Sequence, residues 1–169
     1  MGKGVLGRCA VLAVLLILTG TIAAQASGES PAHVVHYDQV RVDLVTAAGA
    51  RVTIKTELAV TPEQLEQGLM FRRQLAPNSG MLFDFGAPRL VAMWMKNTLI
   101  PLDMLFIDSS GTIRYIEEQA PPHSLDPRGP ALPVRAVMEL PGGTARRLGL
   151  RPGDQVDYPI FQAAPVGFR

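Results

Sequence analysis

Met93-Trp94-Met95-Lys96-Asn97-Thr98-Leu99-Ile100-Pro101-Leu102-Asp103-Met104-Leu105-Phe106-Ile107-Asp108 sets a lysine, an asparagine and an aspartate inside a long apolar block. A charge taken out of water without a partner is costly or gives up its ionisation. Lys96 and Asp103 are therefore expected either to pair with each other or to face a wet pocket. A turn centred between Leu99 and Ile100 would fold the block into a hairpin. It would set Lys96 opposite Asp103, Met95 opposite Met104 and Trp94 opposite Leu105. Asp108-Ser109-Ser110-Gly111 then turns the chain into residues 112–118, which extends the hairpin into a meander of antiparallel strands.

The flanking sequence agrees with a strand-built fold. In residues 40–60 Val40, Val42 and Leu44, then Val52 and Ile54, alternate with polar residues around Ala47-Ala48-Gly49, as in a hairpin with one wet face. Thr61-Pro62-Glu63-Gln64 carries a helix start. Thr61 can cap, Pro62 suits the first helical position and Gln64 completes a capping box; Leu65 and Leu69 share one face, and the helix is expected to end near Met70 or Phe71. Residues 81–85 and 90–95 read as strands, and residues 134–140 as another. The five prolines of residues 121–133 make that segment a loop, read as a stiff crossover between strands. Gly142-Gly143-Thr144 opens a short helix to Leu148, with Gly149 as terminator, and the last strand lies near residues 155–161. These features predict a mainly β, single-domain antiparallel β-sandwich or partly open barrel with two short helices.

Lys3 and Arg8, an apolar run from Cys9 to Leu18, and small residues ending in Ala24-Gln25-Ala26 form the three-part pattern of a secretory signal peptide. The expected organisation is a signal peptide at 1–26, a flexible tether at 27–36, one domain at 37–162 and a carboxyl-terminal tail at 163–169. Cleavage after Ala26 would place the product in the periplasm or outside the cell. The apolar run is shorter than the roughly 20 residues of a spanning helix, so no stable membrane insertion is expected after cleavage. Without Lys3 and Arg8 the chain keeps 14 basic and 15 acidic residues, a formal charge of −1. A nucleic-acid binder would show a basic face, which the balance does not supply. Cys9 is the single cysteine and falls in the signal, so the core must hold the fold without disulfides; the mature chain is long enough to do so, and a monomer is expected.

Gly68-Leu69-Met70-Phe71-Arg72, Gly80-Met81-Leu82-Phe83-Asp84-Phe85, residues 94–108, and Val137-Met138-Glu139-Leu140 leading to Gly143-Thr144 and Leu148-Gly149-Leu150 together resemble the domain of unknown function 192 family of small bacterial and archaeal proteins. The resemblance covers roughly residues 40–156. It implies a mainly β single-domain fold, often exported, and carries over no activity, cofactor or catalytic residue. Similar members often have cysteines in the loop before residues 137–140, where this chain has His123 and Arg128. A cysteine-based disulfide or metal site there is not available to it.

Arg72, Trp94, Lys96, Asn97, Asp103 and Glu139 are the residues expected to surround one polar cleft, with a cationic side, an aromatic wall and carboxylate acceptors. The structural alternative makes Lys96–Asp103 a cross-strand ion pair, Arg72 a helix cap and Glu139 a buried acceptor for backbone amides. The expected role is an exported domain that binds a small polar ligand or an envelope protein in that cleft, with no cofactor. An alternative is a hydrolase or lyase acting on an envelope polysaccharide, with Asp103 and Glu139 as acid and base. A third is an accessory domain without catalysis. No nucleotide fingerprint, phosphate loop or serine triad is present. Met93 and Met95 raise a copper(I) reading through soft thioether ligands, though methionine more often fills gaps in cores. His33 and His36, on the tether, make a weaker metal pair.

Overall fold

The computed structural model describes residues 35–162. The expected signal peptide, the tether apart from Val35 and His36, the carboxyl-terminal tail, and with them Cys9 and His33, lie outside the described residues. The chain order is β1 (Asp38–Val45), β2 (Arg51–Ala59), α1 (Pro62–Gln67), β3 (Ser79–Arg89), β4 (Leu102–Ile107), β5 (Ile113–Ala120), β6 (Val134–Pro141), α2 (Thr144–Leu148) and β7 (Gln155–Asp157), followed by a 3-10 turn at Pro159–Phe161. The fold is mainly β with two short helices, as the sequence predicts.

All seven strands lie in one sheet, ordered β5-β4-β6-β3-β2-β1-β7. Every neighbouring pair is antiparallel except β2 and β3, which run parallel because α1 and the loop after it carry the chain across between them. The edges curl toward each other. A bridge between Thr112 and Gln155 joins the start of β5 to β7, and the Val156 amide donates to the Gly111 carbonyl at 2.8 Å. The result is a half-barrel, pinned at one end.

Period-two alternation divides the apolar side chains between the two faces of the sheet. Leu82, Leu105, Ile107, Met138 and Leu140 join Val42, Leu44, Ile54, Ile113 and Val156 in one cluster, and since it contains residues of both edge strands it fills the inside of the curl. Met81, Phe83, Met104, Phe106 and Val137 form a second cluster on the outer face, covered by Tyr37, Leu69 and Met95. Each such fully buried side chain contributes about 1.5–3 kcal/mol. A sheet buried on both faces explains why β4 is apolar almost throughout, all six of its residues being buried.

The helix signals are realised. Thr61 Oγ1 accepts from the Gln64 amide at 3.2 Å while Gln64 Oε1 accepts from the Thr61 amide at 3.0 Å, closing the capping box. The helix ends at Gln67, earlier than expected, because Gly68 turns to φ 48°.

The expected hairpin of residues 94–105 does not form. Apart from an isolated bridge at Met93, residues 90–101 are not strand, and β4 pairs with β5 on one side and β6 on the other. Lys96, Met95 and Trp94 therefore do not face Asp103, Met104 and Leu105 across a ladder. The reason is competitive pairing: β6 offers β4 six consecutive partners from Leu102↔Pro141 to Ile107↔Ala136, buried on both faces. Residues 155–161 likewise supply only three strand residues before Pro159 begins the 3-10 turn. The strand expected at 81–85 runs on to Arg89.

Candidate functional site

Glu139 stands in the middle of β6 on the outer face of the sheet, with Met81 of β3 and Met104 of β4 as its cross-strand neighbours. It is 4% exposed. The close approach of β3 depends on Gly80, since a Cβ there would fall 2.6 Å from the Glu139 carbonyl oxygen. Glu139 lines a cleft under α1 and the residues after it, with Met70, Met93, Trp94, Lys96 and Thr98 among its walls. Among the described residues no hydrogen bond or ion pair engages its carboxyl group. Burial therefore acts unopposed and pushes its pKa up to about 8 from an ordinary 4.5, so at neutral pH the group holds its proton. The cleft encloses about 30 Å³, which on a scale of about 10–15 Å³ per water is room for two or three.

The wall opposite α1 is held in place from behind. Met93 and Arg128 exchange both backbone hydrogen bonds at 2.8 Å, the Met95 amide donates to the Ser124 carbonyl at 2.8 Å, and the His123 amide donates to the Thr98 carbonyl at 3.2 Å. The proline-rich loop thus acts as a brace for residues 93–98. On the other side the Phe71 amide donates to the Asn97 carbonyl at 2.8 Å. Phe71 and Asn97 both adopt left-handed φ values, 64° and 56°, an unfavourable state for phenylalanine above all. Phe71 nevertheless leaves its side chain largely in solvent, 65% exposed. Half-exposed Trp94 lies at the mouth, with Lys96 Nζ 5.3 Å from its ring centroid.

A second, wider groove of about 440 Å³ adjoins the cleft and shares Leu65, Glu66, Met93 and Trp94 with it. Phe85, Arg89 and Leu90 line its far part, with the Arg89 guanidinium 4.5 Å from the Phe85 ring centroid.

The six residues expected to share one site divide into groups. Trp94, Lys96 and Glu139 meet at the cleft. Asn97 sits just behind, its side-chain amide donating to Met70 Sδ at 3.8 Å. Arg72 turns away: it is neither a cleft residue nor a helix cap, but grips Glu57 through both guanidinium nitrogens and lies 5.9 Å from the centre of the Tyr37 ring.

Asp103 belongs to the other face of the sheet. It is paired in register with Leu140, one residue on from Glu139, so alternation turns the two carboxylates in opposite directions. Asp103 is wholly buried and accepts from the amides of Gln119 at 2.8 Å, Gly143 at 3.0 Å and Ala145 at 2.7 Å. It ties β5 and the start of α2 to the sheet. The expected Lys96–Asp103 ion pair is absent, because an acceptor saturated by three amides needs no ammonium. The acid and base pairing of Asp103 with Glu139 is likewise set aside, since the sheet itself stands between them. The role of buried acceptor for backbone amides, expected of Glu139, belongs to Asp103.

Met93 walls the cleft, whereas Met95 is fully buried in the outer-face cluster, so the two thioethers serve different places. Met93's companion thioether at the cleft is Met70, which sequence reasoning passed over, as it did Thr98 and Glu66. The signal that would have found Met70 lies in Gly68-Leu69-Met70, where a glycine ends α1 and turns the following residues onto the outer face. Among the described residues no three His, Cys, Asp or Glu side chains converge as a metal site.

Comparison with known proteins bears on the whole of this region. A family model described as uncharacterized ACR, of the domain of unknown function 192 family, matches residues 44–158. A crystal structure from Sinorhizobium meliloti 1021, described provisionally as a transcription regulator, shares 55% identity with a TM-score of 0.73; the match covers 75% of this chain and 98% of that one. A protein of unknown function from Novosphingobium aromaticivorans DSM 12444 shares 37% identity with a TM-score of 0.69, over 74% of this chain and 91% of that one. No curated protein matches the chain.

Proposed function

The chain belongs to the domain of unknown function 192 family, an uncharacterised family, and from that premise we propose that it is an exported domain that binds a small polar ligand, or a polar segment of an envelope protein, in the Glu139 cleft. What carries the reading is one observation: a carboxyl group buried at the base of an open cleft with no hydrogen-bond or ion-pair partner among the described residues. Glutamate is a poor choice for a merely structural position there. A methionine or glutamine would fill the same space without the cost of desolvating an ionisable group. A polar group kept at such a cost, under a half-exposed tryptophan and beside left-handed residues, is the pattern of a binding site.

Export rests on the amino-terminal pattern of Lys3, Arg8, the run from Cys9 to Leu18 and Ala24-Gln25-Ala26. The regulator description of the Sinorhizobium protein would suggest a nucleic-acid role, but a mature formal charge of −1 gives phosphates no basic face to meet. The reading is tested by screening sugars, amino acids, amines and organic acids against the wild-type chain and Glu139→Gln, following melting temperature and Trp94 emission together. A compound that raises the melting temperature and shifts emission in the wild type alone supports it. If no compound moves either signal, and Glu139 titrates in the usual carboxylate range, the cleft is structural.

A further inference from the structure

The chemistry of the Glu139 cleft points to one class of ligand. Resting on the binding reading above, we propose that the cleft takes a primary ammonium group, held by Glu139 at its base, with the apolar body of the ligand laid against Trp94 and out along the adjoining groove. The lining supports this in three ways.

First, the base presents acceptors. The Glu139 carboxyl, the thioethers of Met70 and Met93, and the electron-rich face of Trp94 all favour a donor or a cation over an anion. Thr98 adds a hydroxyl whose own proton is directed to the Lys96 carbonyl at 3.4 Å.

Second, the molecule already presents a primary ammonium there. Lys96 makes no ion pair among the described residues, and its Nζ lies 5.3 Å from the Trp94 ring centroid at the mouth of the same cleft. Its position shows the aromatic wall to be accessible to an ammonium, and makes Lys96 an internal competitor for a ligand that brings another.

Third, size and continuity fit. A volume near 30 Å³ holds an ammonium group and little else, whereas the groove that shares Leu65, Glu66, Met93 and Trp94 has about 440 Å³ for the remainder of the ligand. The charged side chains that face Glu139 are Glu66 from α1 and Lys96 from the opposite wall, while β3 and β4 present only Met81, Phe83 and Met104.

Binding then has a proton signature. Glu139 is protonated at neutral pH and would have to ionise to hold an ammonium, so each ligand releases close to one proton. Affinity should rise about tenfold per pH unit until the group is ionised in the free protein near pH 8.

Trp94 is the only tryptophan in the chain, so its emission reports this site. The test titrates the full chain with n-butylammonium, tetramethylammonium, n-butyrate and n-butanol, with calorimetry in two buffers of different ionisation enthalpy to count protons. The expected result is saturable butylammonium binding with proton release, at least tenfold weaker binding of tetramethylammonium, which has no N–H to donate, and loss of butylammonium binding in Glu139→Gln. Lys96→Ala should leave butylammonium binding unchanged or tighten it. Butylammonium binding that persists in Glu139→Gln, that releases no proton, or that weakens tenfold in Lys96→Ala overturns the proposal. Butyrate binding at Trp94 without butylammonium binding also overturns it, while leaving a polar-ligand cleft in place. Silence from all four probes together with an empty wider screen removes the cleft reading itself.

Discussion

Replacing Glu139 with glutamine should make the protein more stable at neutral pH, and the size of the gain follows from the burial of the carboxyl group. In the unfolded chain the group ionises near pH 4.5; in the folded protein it waits until about pH 8. Between those limits the folded state holds a proton that the unfolded state has released. Stability therefore falls as pH rises, by about 1.36 kcal/mol per pH unit. The contribution is fully present below the lower limit, is lost through the window, and is constant above it. Across the whole window the loss is about 5 kcal/mol, of which about 3 kcal/mol has accrued by neutral pH.

Glutamine keeps the shape, the side-chain length and a hydrogen-bonding end, but has nothing to ionise. The comparison is made by urea denaturation of wild type and Glu139→Gln at half-unit pH steps from 4 to 9. The difference in stability between the two should be near flat at the acid end and should widen through the window in favour of glutamine, reaching a few kcal/mol at neutral pH. Parallel profiles, or a variant that is less stable at every pH, would mean that Glu139 is ionised and partnered in the folded protein, and the account of the cleft would fail at its base.

Three further outcomes separate the two carboxylates, the close strand approach and the address. Asp103→Ala should lower stability by about 3–5 kcal/mol in the same denaturation assay, because three amides, that of Ala145 buried and those of Gln119 and Gly143 partly so, lose their acceptor; Lys96→Ala should change it by less than about 0.5 kcal/mol, the reverse of what an ion pair between the two would give. Gly80→Ala should cost about 1–3 kcal/mol, since the new methyl would meet the Glu139 carbonyl oxygen at 2.6 Å and force β3 away from β6; an unchanged denaturation midpoint would refute the close packing. Expression of the full chain, followed by fractionation and amino-terminal sequencing, should recover a product in the envelope beginning at Ser27, and an intact chain starting at Met1 would count against export.

The parts of the fold that were legible in the sequence are those governed by local chemistry. Thr61, Pro62 and Gln64 specify their cap through bonds spanning three residues, and the alternation of Val40, Val42 and Leu44 suffices to make a half-wet strand. The hairpin expected of residues 94–105 fails for a corresponding reason, while the turn at Asp108–Gly111 into β5 forms as expected. Hairpin pairing with the preceding residues is the nearest option in sequence, but on that side β4 pairs with β6, 29 to 39 residues further along the chain, and no local feature of the block distinguishes the two. The same limit governed the site. Trp94, Lys96 and Glu139 stand out in the sequence as polar or aromatic residues within apolar segments, and that signal is sound for finding groups in need of partners. It cannot say on which face of the sheet each need is met.

That distinction between faces decides how Asp103 and Glu139 differ, although both are carboxylates in neighbouring buried strands. Asp103 lies toward the end of its strand, where β5 and the start of α2 bring three amides within reach, and its charge is used up in joining them. Glu139 lies mid-strand between two methionines, where both neighbouring strands have spent their amides on the ladder and no backbone donor remains to be offered. Its partner must therefore come from α1, from residues 93–98, or from outside. Lys96 is the one cation those segments present at the cleft, and it rests on Trp94 rather than on Glu139. On the proposed reading the partner is a molecule that enters through the mouth, so the stability measurement on Glu139→Gln and the ammonium titration test that one proposal from its two sides.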